Sequence, residues 1–359
     1  MQVRTELYYH KTRKIGIGEG MNSEVFEIQD SQLGGRLVAK EIPIVDLQNS
    51  VHDYFAEAKA MFASAHRNIV PIQYAATRDN THVCLIMPYF ARGSLQSHIC
   101  FNPLPLKHLI NLGQEILTGI SQIHMKGYLH LDIKPSNVLF SDSGVAMVAD
   151  FGQARAIGSN GIVTKLPPMY SYAMPPEVLT QKFASIESDI YQVGLTLYRA
   201  VNGDYMYQQQ LPRMTCLKDV EELQHGILSG TLPDRAAFLP HVPAKLRKAI
   251  KKAIDPISNK RFSSAIKFQE ALGRISLTCD WNTQINPETG EINWKGCRRD
   301  RADLVVNLYP VEGTEDWSVQ IFTERECTSR RGAHKEFWID KVSLKEATTH
   351  LETFFQSLV

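Results

Sequence analysis

Two short stretches constrain this chain more than any others: HLDIKPSN at His130–Asn137 and, thirteen residues beyond Asn137, Asp150 in ADFGQA. Asp132, Lys134, Asn137 and Asp150 are a carboxylate, a cation, an amide and a second carboxylate at fixed offsets, and such groups act together only where a fold makes them converge. The chain around them changes character. Before Ser94, apolar runs are short and strand-like: KIGIG and EVFEI flank the turn residues EGMNS, RLVAKEI follows, and IQYAA and HVCLIM complete a small sheet. One helix interrupts them, with Phe55, Ala58, Met61, Phe62 and Ala65 at helical spacing over Asp53–Ala65. Beyond Ser94 helices dominate, at about Leu106–Met125, Glu187–Val201, Leu217–Leu228, Pro243–Ile254 and Ser263–Ile275.

Near Ser276 the pattern reverts to strands. DWNTQINPETGEINWKG reads as a hairpin turning at Asn286, Pro287 and Gly290; a second hairpin turns at Glu312–Asp316, and HKEFWIDKV gives a further strand. A last helix, Ser343–Leu358, sets Leu344, Ala347, Leu351, Phe354, Phe355 and Leu358 along one face. The expected organisation is one two-lobed unit over residues 1–275, its β-rich lobe at about 10–90 and its α-rich lobe at 91–275, followed by a small α+β module over 276–359.

Lys and Arg number 39 against 38 Asp and Glu, so no overall field draws the chain to nucleic acid or an anionic membrane. Six well-separated cysteines form no C-x-x-C pair, which fits reduced thiols rather than zinc or a redox dithiol. No apolar run reaches the roughly 18 residues of a membrane span, and MQVRTELYYHKTRK is too polar for a signal peptide, so a cytoplasmic protein is expected.

The chemistry is best read from the first lobe onward. IGIGEGMNSEV places Gly18 and Gly20 in a turn, Ser23 where a G-x-G-x-x-G loop has its third glycine, and Val25 beyond; glycines there let backbone approach phosphates, and the valine can cover an adenine ring. Lys40, in the strand with Val38 and Ala39, needs an anion if buried, and Glu57 on the following helix is the natural partner to aim it at nucleotide phosphates. Asp132 can accept the proton of an incoming hydroxyl, Lys134 can steady a γ-phosphate, and Asn137 and Asp150 offer oxygens to Mg²⁺, whose remaining ligands are phosphates and water.

In that order the motifs of about Lys14–Ile275 resemble a eukaryotic-type serine/threonine protein kinase domain. The resemblance implies a bilobal α+β kinase fold and transfer from ATP with Mg²⁺ to protein substrates. It also makes Asp132, Lys134, Lys40 and Glu57 catalytic, and Asn137 and Asp150 the metal ligands. Met87 becomes the gate at the back of the nucleotide site, with the backbone of Pro88 and Phe90 facing adenine beside Ala39. MPPEVL stands for the A-P-E motif, with Glu177 pairing Arg261, while SDIYQVG supplies a scaffold aspartate, Asp189; His130 and Phe151 are packing residues. One departure matters. Leu131 occupies the position where many kinases carry an arginine that reads an activation-loop phosphate, so activity without that phosphorylation is expected despite hydroxyls at Ser159, Thr164, Tyr170, Ser171 and Tyr172.

Three alternatives stay open: a nucleotide-binding pseudokinase scaffold acting through the tail, tyrosine or dual specificity, and a small-molecule phosphotransferase. The tail shows no catalytic constellation. Its basic residues Arg298, Arg299, Arg301, Arg330, Arg331 and Lys335 are outnumbered by acids between Asp280 and Glu352, which argues against a nucleic-acid patch, and all four tryptophans, Trp281, Trp294, Trp317 and Trp338, read as core. A protein partner on this module is the remaining expectation.

Overall fold

Alternation of side chains along extended backbone builds the first layer. The computed structural model describes residues 8–16, 23–31, 34–46, 65–167, 171–212, 215–298, 302–325 and 330–358. Five antiparallel strands, β1 (Tyr9–Ile15), β2 (Glu24–Asp30), β3 (Arg36–Pro43), β4 (Tyr74–Arg78) and β5 (His82–Pro88), lie in the order β1-β2-β3-β5-β4. β1 starts well before KIGIG because its central residues face solvent and carry no apolar alternation to read. Of the predicted helix, residues 53–64 lie outside the described ones.

Helical periodicity takes over at α1 (Leu106–Met125), which buries Leu109, Leu112, Ile116, Ile120 and Ile123. It runs to a short strand β6 (Tyr128–Leu129), then to the loop of Asp132 and the hairpin of β7 (Val138–Phe140) with β8 (Ala146–Val148); β9 (Arg155–Ala156) pairs β6. Among the described residues four more helices of nine residues or longer follow: α2 (Ile186–Asn202), α3 (Leu217–Ser229), α4 (Ala244–Ala253) and α5 (Ala265–Gly273). Helix α2 is buried on every side, as its central place demands, and Gly194 lets α4 approach it: a Cβ there would stand 2.6 Å from the Cβ of Ala253. Glu177 and Arg261 form the expected pair, and it is bidentate at 2.8 and 2.9 Å with both residues almost fully buried.

The tail is a six-stranded antiparallel sheet of β10 (Asp280–Ile285), β11 (Ile292–Cys297), β12 (Asp303–Pro310), β13 (Trp317–Arg325), β14 (Arg330–Ala333) and β15 (Ile339–Val342), closed by α6 (Leu344–Ser357). HKEFWIDKV is only partly strand: Lys335–Phe337 forms a 3₁₀ turn before β15. Trp281 and Trp294 are fully buried and Trp317 and Trp338 pack on the same core, as the sequence led us to expect.

That core is continuous with the helical lobe. Asp280 accepts the Lys107 N–H at the start of α1 (3.0 Å), Asn102 accepts the Ile285 N–H (2.8 Å), and Arg247 pairs Glu352 (2.7 Å). At the centre, buried His241 accepts the Trp294 indole N–H on Nδ1 (2.9 Å), while its Nε2 meets the Thr283 hydroxyl (3.3 Å). Burial, helped by the Arg247 charge, pushes the imidazole down from 6.5 to about 3, so it is neutral in the folded protein. An unfolded histidine binds its proton near pH 6.5, so the unfolded state gains protons first and stability falls as pH drops from there towards 3. The melting temperature is therefore expected to fall more steeply below pH 6.5 in the wild type than in His241→Gln; parallel curves would contradict this.

Candidate active site

The loop carrying Asp132 is pinned from beneath by α2. Asp189, with no exposed surface, accepts the His130 N–H on Oδ2 and the Leu131 N–H on Oδ1, each at 2.9 Å, and its Oδ2 also meets His124 Nε2 at 2.7 Å. His130 is a packing residue: its ring lies 4.9 Å from that of Phe151, its Nε2 donates to the Ala149 carbonyl (3.1 Å), and burial lowers its basicity.

Above this base the predicted groups converge. Asp132 Oδ2 receives the Lys134 ammonium at 3.0 Å and the Asn137 amide N–H at 2.8 Å, and the same amide nitrogen also donates to the Asp132 carbonyl at 2.8 Å. Asn137 thus spends its nitrogen on Asp132 and keeps its oxygen for another ligand. Lys40 forms an ion pair with Asp150 across the two lobes, and the Gly152 N–H donates to the same carboxylate oxygen at 3.2 Å. Burial alone would raise the Asp150 carboxyl, but the Lys40 charge and these hydrogen bonds hold it down to about 2, so it stays ionised. Asp150 has a left-handed backbone, φ 60°, as does Leu131, φ 65°.

The donor chemistry fits a hard cation bound with a nucleotide: one ionised carboxylate and one amide oxygen, with no cluster of three or more His, Cys, Asp or Glu side chains suited to a metal among the described residues. Phosphates and water would fill the remaining positions. Lys40, paired with Asp150, could supply positive charge to those phosphates.

Strand register shows which other predicted residues share this site. Val25 pairs Lys40 and Lys40 pairs Leu85, so these side chains emerge on one face; Met87 pairs Val38, one step along that face. Ala39 is corrected: as the neighbour of Lys40 on a strand it points the other way, fully buried with Ile28 and Ile86. Val38 stands on the Lys40 face instead, and strict alternation could have revealed this in the sequence. Met87 and Phe90 pack with Val70, Met147, Ala149 and Leu139 between the lobes; Met147 and Ala149, in the apolar run before Asp150, were missed. Pro88 ends β5 opposite Leu37, and Ser23 directly precedes β2. Gly18, Gly20 and Glu57 lie outside the described residues.

A family model described as protein kinase domain matches residues 9–273, ending before the tail sheet. The probable serine/threonine-protein kinase PknB of Lactococcus lactis is 29% identical over 243 residues, which cover 66% of this chain and 37% of that protein. The probable serine/threonine-protein kinase CPE1738 of Clostridium perfringens is 26% identical over 281 residues, 77% of this chain and 39% of its own. Serine/threonine-protein kinase ste20 of Emericella nidulans is 29% identical over 210 residues, 58% and 24% respectively. The chain thus spans less than two fifths of the length of each of these relatives.

Proposed function

Because this chain belongs to the protein kinase domain family, we propose that it transfers the γ-phosphoryl group of ATP to serine and threonine hydroxyls of protein substrates. One observation supports the reading: Asp132 is held by Lys134 and Asn137 at 3.0 and 2.8 Å, and the Asn137 carbonyl accepts the N–H of Ala149 at 2.8 Å, next to the Asp150 that pairs Lys40. Asp132 orients the acceptor hydroxyl and takes its proton, Lys134 follows the charge on the transferred group, and Lys40 holds the nucleotide phosphates. Magnesium held by Asn137 and Asp150 would neutralise charge on the phosphates. Among the described residues no helix is long and apolar enough to cross a membrane, and a cytoplasmic site of action is part of this proposal.

The second element is activity without activation-loop phosphorylation. The Leu131 side chain is fully buried with Leu129, Val163, Val178 and Ala184, and Ile157, Leu166 and Met174 pack around them. Apolar contact supports the segment after Asp150 where a phosphate held by arginine would otherwise be needed. An arginine here would put an unpaired guanidinium into that cluster, at a cost of about 3–5 kcal/mol. Leu131→Arg is therefore expected to melt earlier and lose activity. A variant without hydroxyls at Ser159, Thr164, Tyr170, Ser171 and Tyr172 is expected to keep transferring phosphate. Activity that appears only after prior phosphorylation would contradict the proposal. Tyr170 and the side chain of Ser171 lie outside the described residues.

A further inference from the structure

The Leu131 and Ile133 backbones point to a residue that no motif singled out. Gln192 sits on α2 three residues after Asp189, so both side chains emerge on the helix face beneath the Asp132 loop. It is 1% exposed. Its Oε1 accepts the Ile133 N–H at 3.0 Å, and its Nε2 donates to the Leu131 carbonyl at 3.1 Å and to the Ala173 carbonyl at 3.3 Å. These contacts fix which end of the amide is oxygen, since reversing it would set donor against donor and acceptor against acceptor.

The Leu131 carbonyl belongs to the peptide plane before Asp132, and the Ile133 N–H to the plane after it. The two dihedrals of Asp132 are the rotations between these planes, so one side-chain amide holds both. Leu131 adds a reason for the device, because its left-handed backbone, φ 65°, is a conformation that a branched side chain adopts only when its surroundings impose it. Ala173 closes the arrangement. It ends the turn Ser171–Ala173, just before Pro175–Pro176–Glu177, so the orientation of Asp132 is tied to the segment beyond the apolar cluster of Leu131.

We infer that Gln192 is a positioning residue for Asp132, setting the direction of its carboxylate and linking it to the turn at Ala173. The inference rests on the phosphotransfer reading above. Leucine or methionine would fill the same volume but leave three buried backbone groups unpaired, and only an amide of this length offers an acceptor and two donors together.

The test uses the full chain with Gln192→Met and Gln192→Glu, the second keeping the shape and the acceptor for Ile133. Nucleotide affinity, kcat and both KM values are measured, with kcat referred to the protein competent to bind nucleotide. The expected result is a fall in kcat of about 10²-fold for Gln192→Met, as for a displacement of order 1 Å at a reacting group. Gln192→Glu should be intermediate, and ATP affinity unchanged in both. A purely structural role would lower the competent fraction and leave the rate per competent molecule as in the wild type; that result, or failure of both variants to fold, would overturn the inference. A wild type that binds ATP but transfers nothing would overturn the kinase reading and this inference with it, whereas an active wild type beside equally active variants would overturn this inference alone.

Discussion

Asp132→Asn is expected to slow phosphoryl transfer by about 10²- to 10⁴-fold, the range for loss of a positioned acid–base group, with nucleotide affinity unchanged. The Asp132 carboxylate is shared between the Lys134 ammonium and the Asn137 amide N–H, at 3.0 and 2.8 Å, and both are donors. Both donors meet Oδ2, so an asparagine with its oxygen there keeps both contacts but presents NH₂ in place of Oδ1 to the acceptor hydroxyl, where no proton can be taken. Lys40 and Asp150 pair with each other rather than with Asp132, so nucleotide binding does not depend on the lost charge. Single-turnover rates beside a nucleotide titration check this. A variant as fast as the wild type would remove Asp132 from the chemistry.

Ending the chain at Ile275 is expected to abolish soluble folded protein. The cut would strip away Trp281, Trp294 and Phe355, whose rings pack at or near His241, leave the His241 ring nitrogens without Trp294 and Thr283, and uncap the Lys107 N–H. Losing one buried aromatic costs about 3–5 kcal/mol. A whole domain has only about 5–15 kcal/mol to lose. Soluble yield and thermal melting of the truncated chain against the full one provide the measurement. A truncated chain that melts at the same temperature would mean that the tail sheet adds nothing to the stability of the lobe beneath it.

Local pattern and long-range contact divide what could be read beforehand. Helix α1 was legible because its apolar positions recur at helical spacing, and the Glu177–Arg261 pair followed from the family motifs. Ala39 was misplaced because the reading followed the motif rather than the period of a strand, which sends neighbouring side chains to opposite faces. Leu131 stood out in the sequence as a departure, but its apolar surroundings could not be read, since Val163, Val178 and Ala184 reach it only through the fold. The same holds for the seam between lobe and tail. His241 and Trp294 are 53 positions apart, and nothing local to either announces their hydrogen bond. Gln192 carried no signal beyond lying one helical turn from Asp189.

Asp132, Lys134, Asn137, Lys40 and Asp150 are proposed to form working phosphotransfer machinery although Leu131 stands where many kinases carry an arginine. The most direct test incubates the unphosphorylated full chain with labelled ATP, Mg²⁺ and a general protein substrate, then identifies the labelled residues by mass spectrometry. The expected result is label on serine or threonine, absent from the Asp132→Ala and Asp150→Ala variants. No label on the substrate, from protein that demonstrably binds ATP, would contradict it.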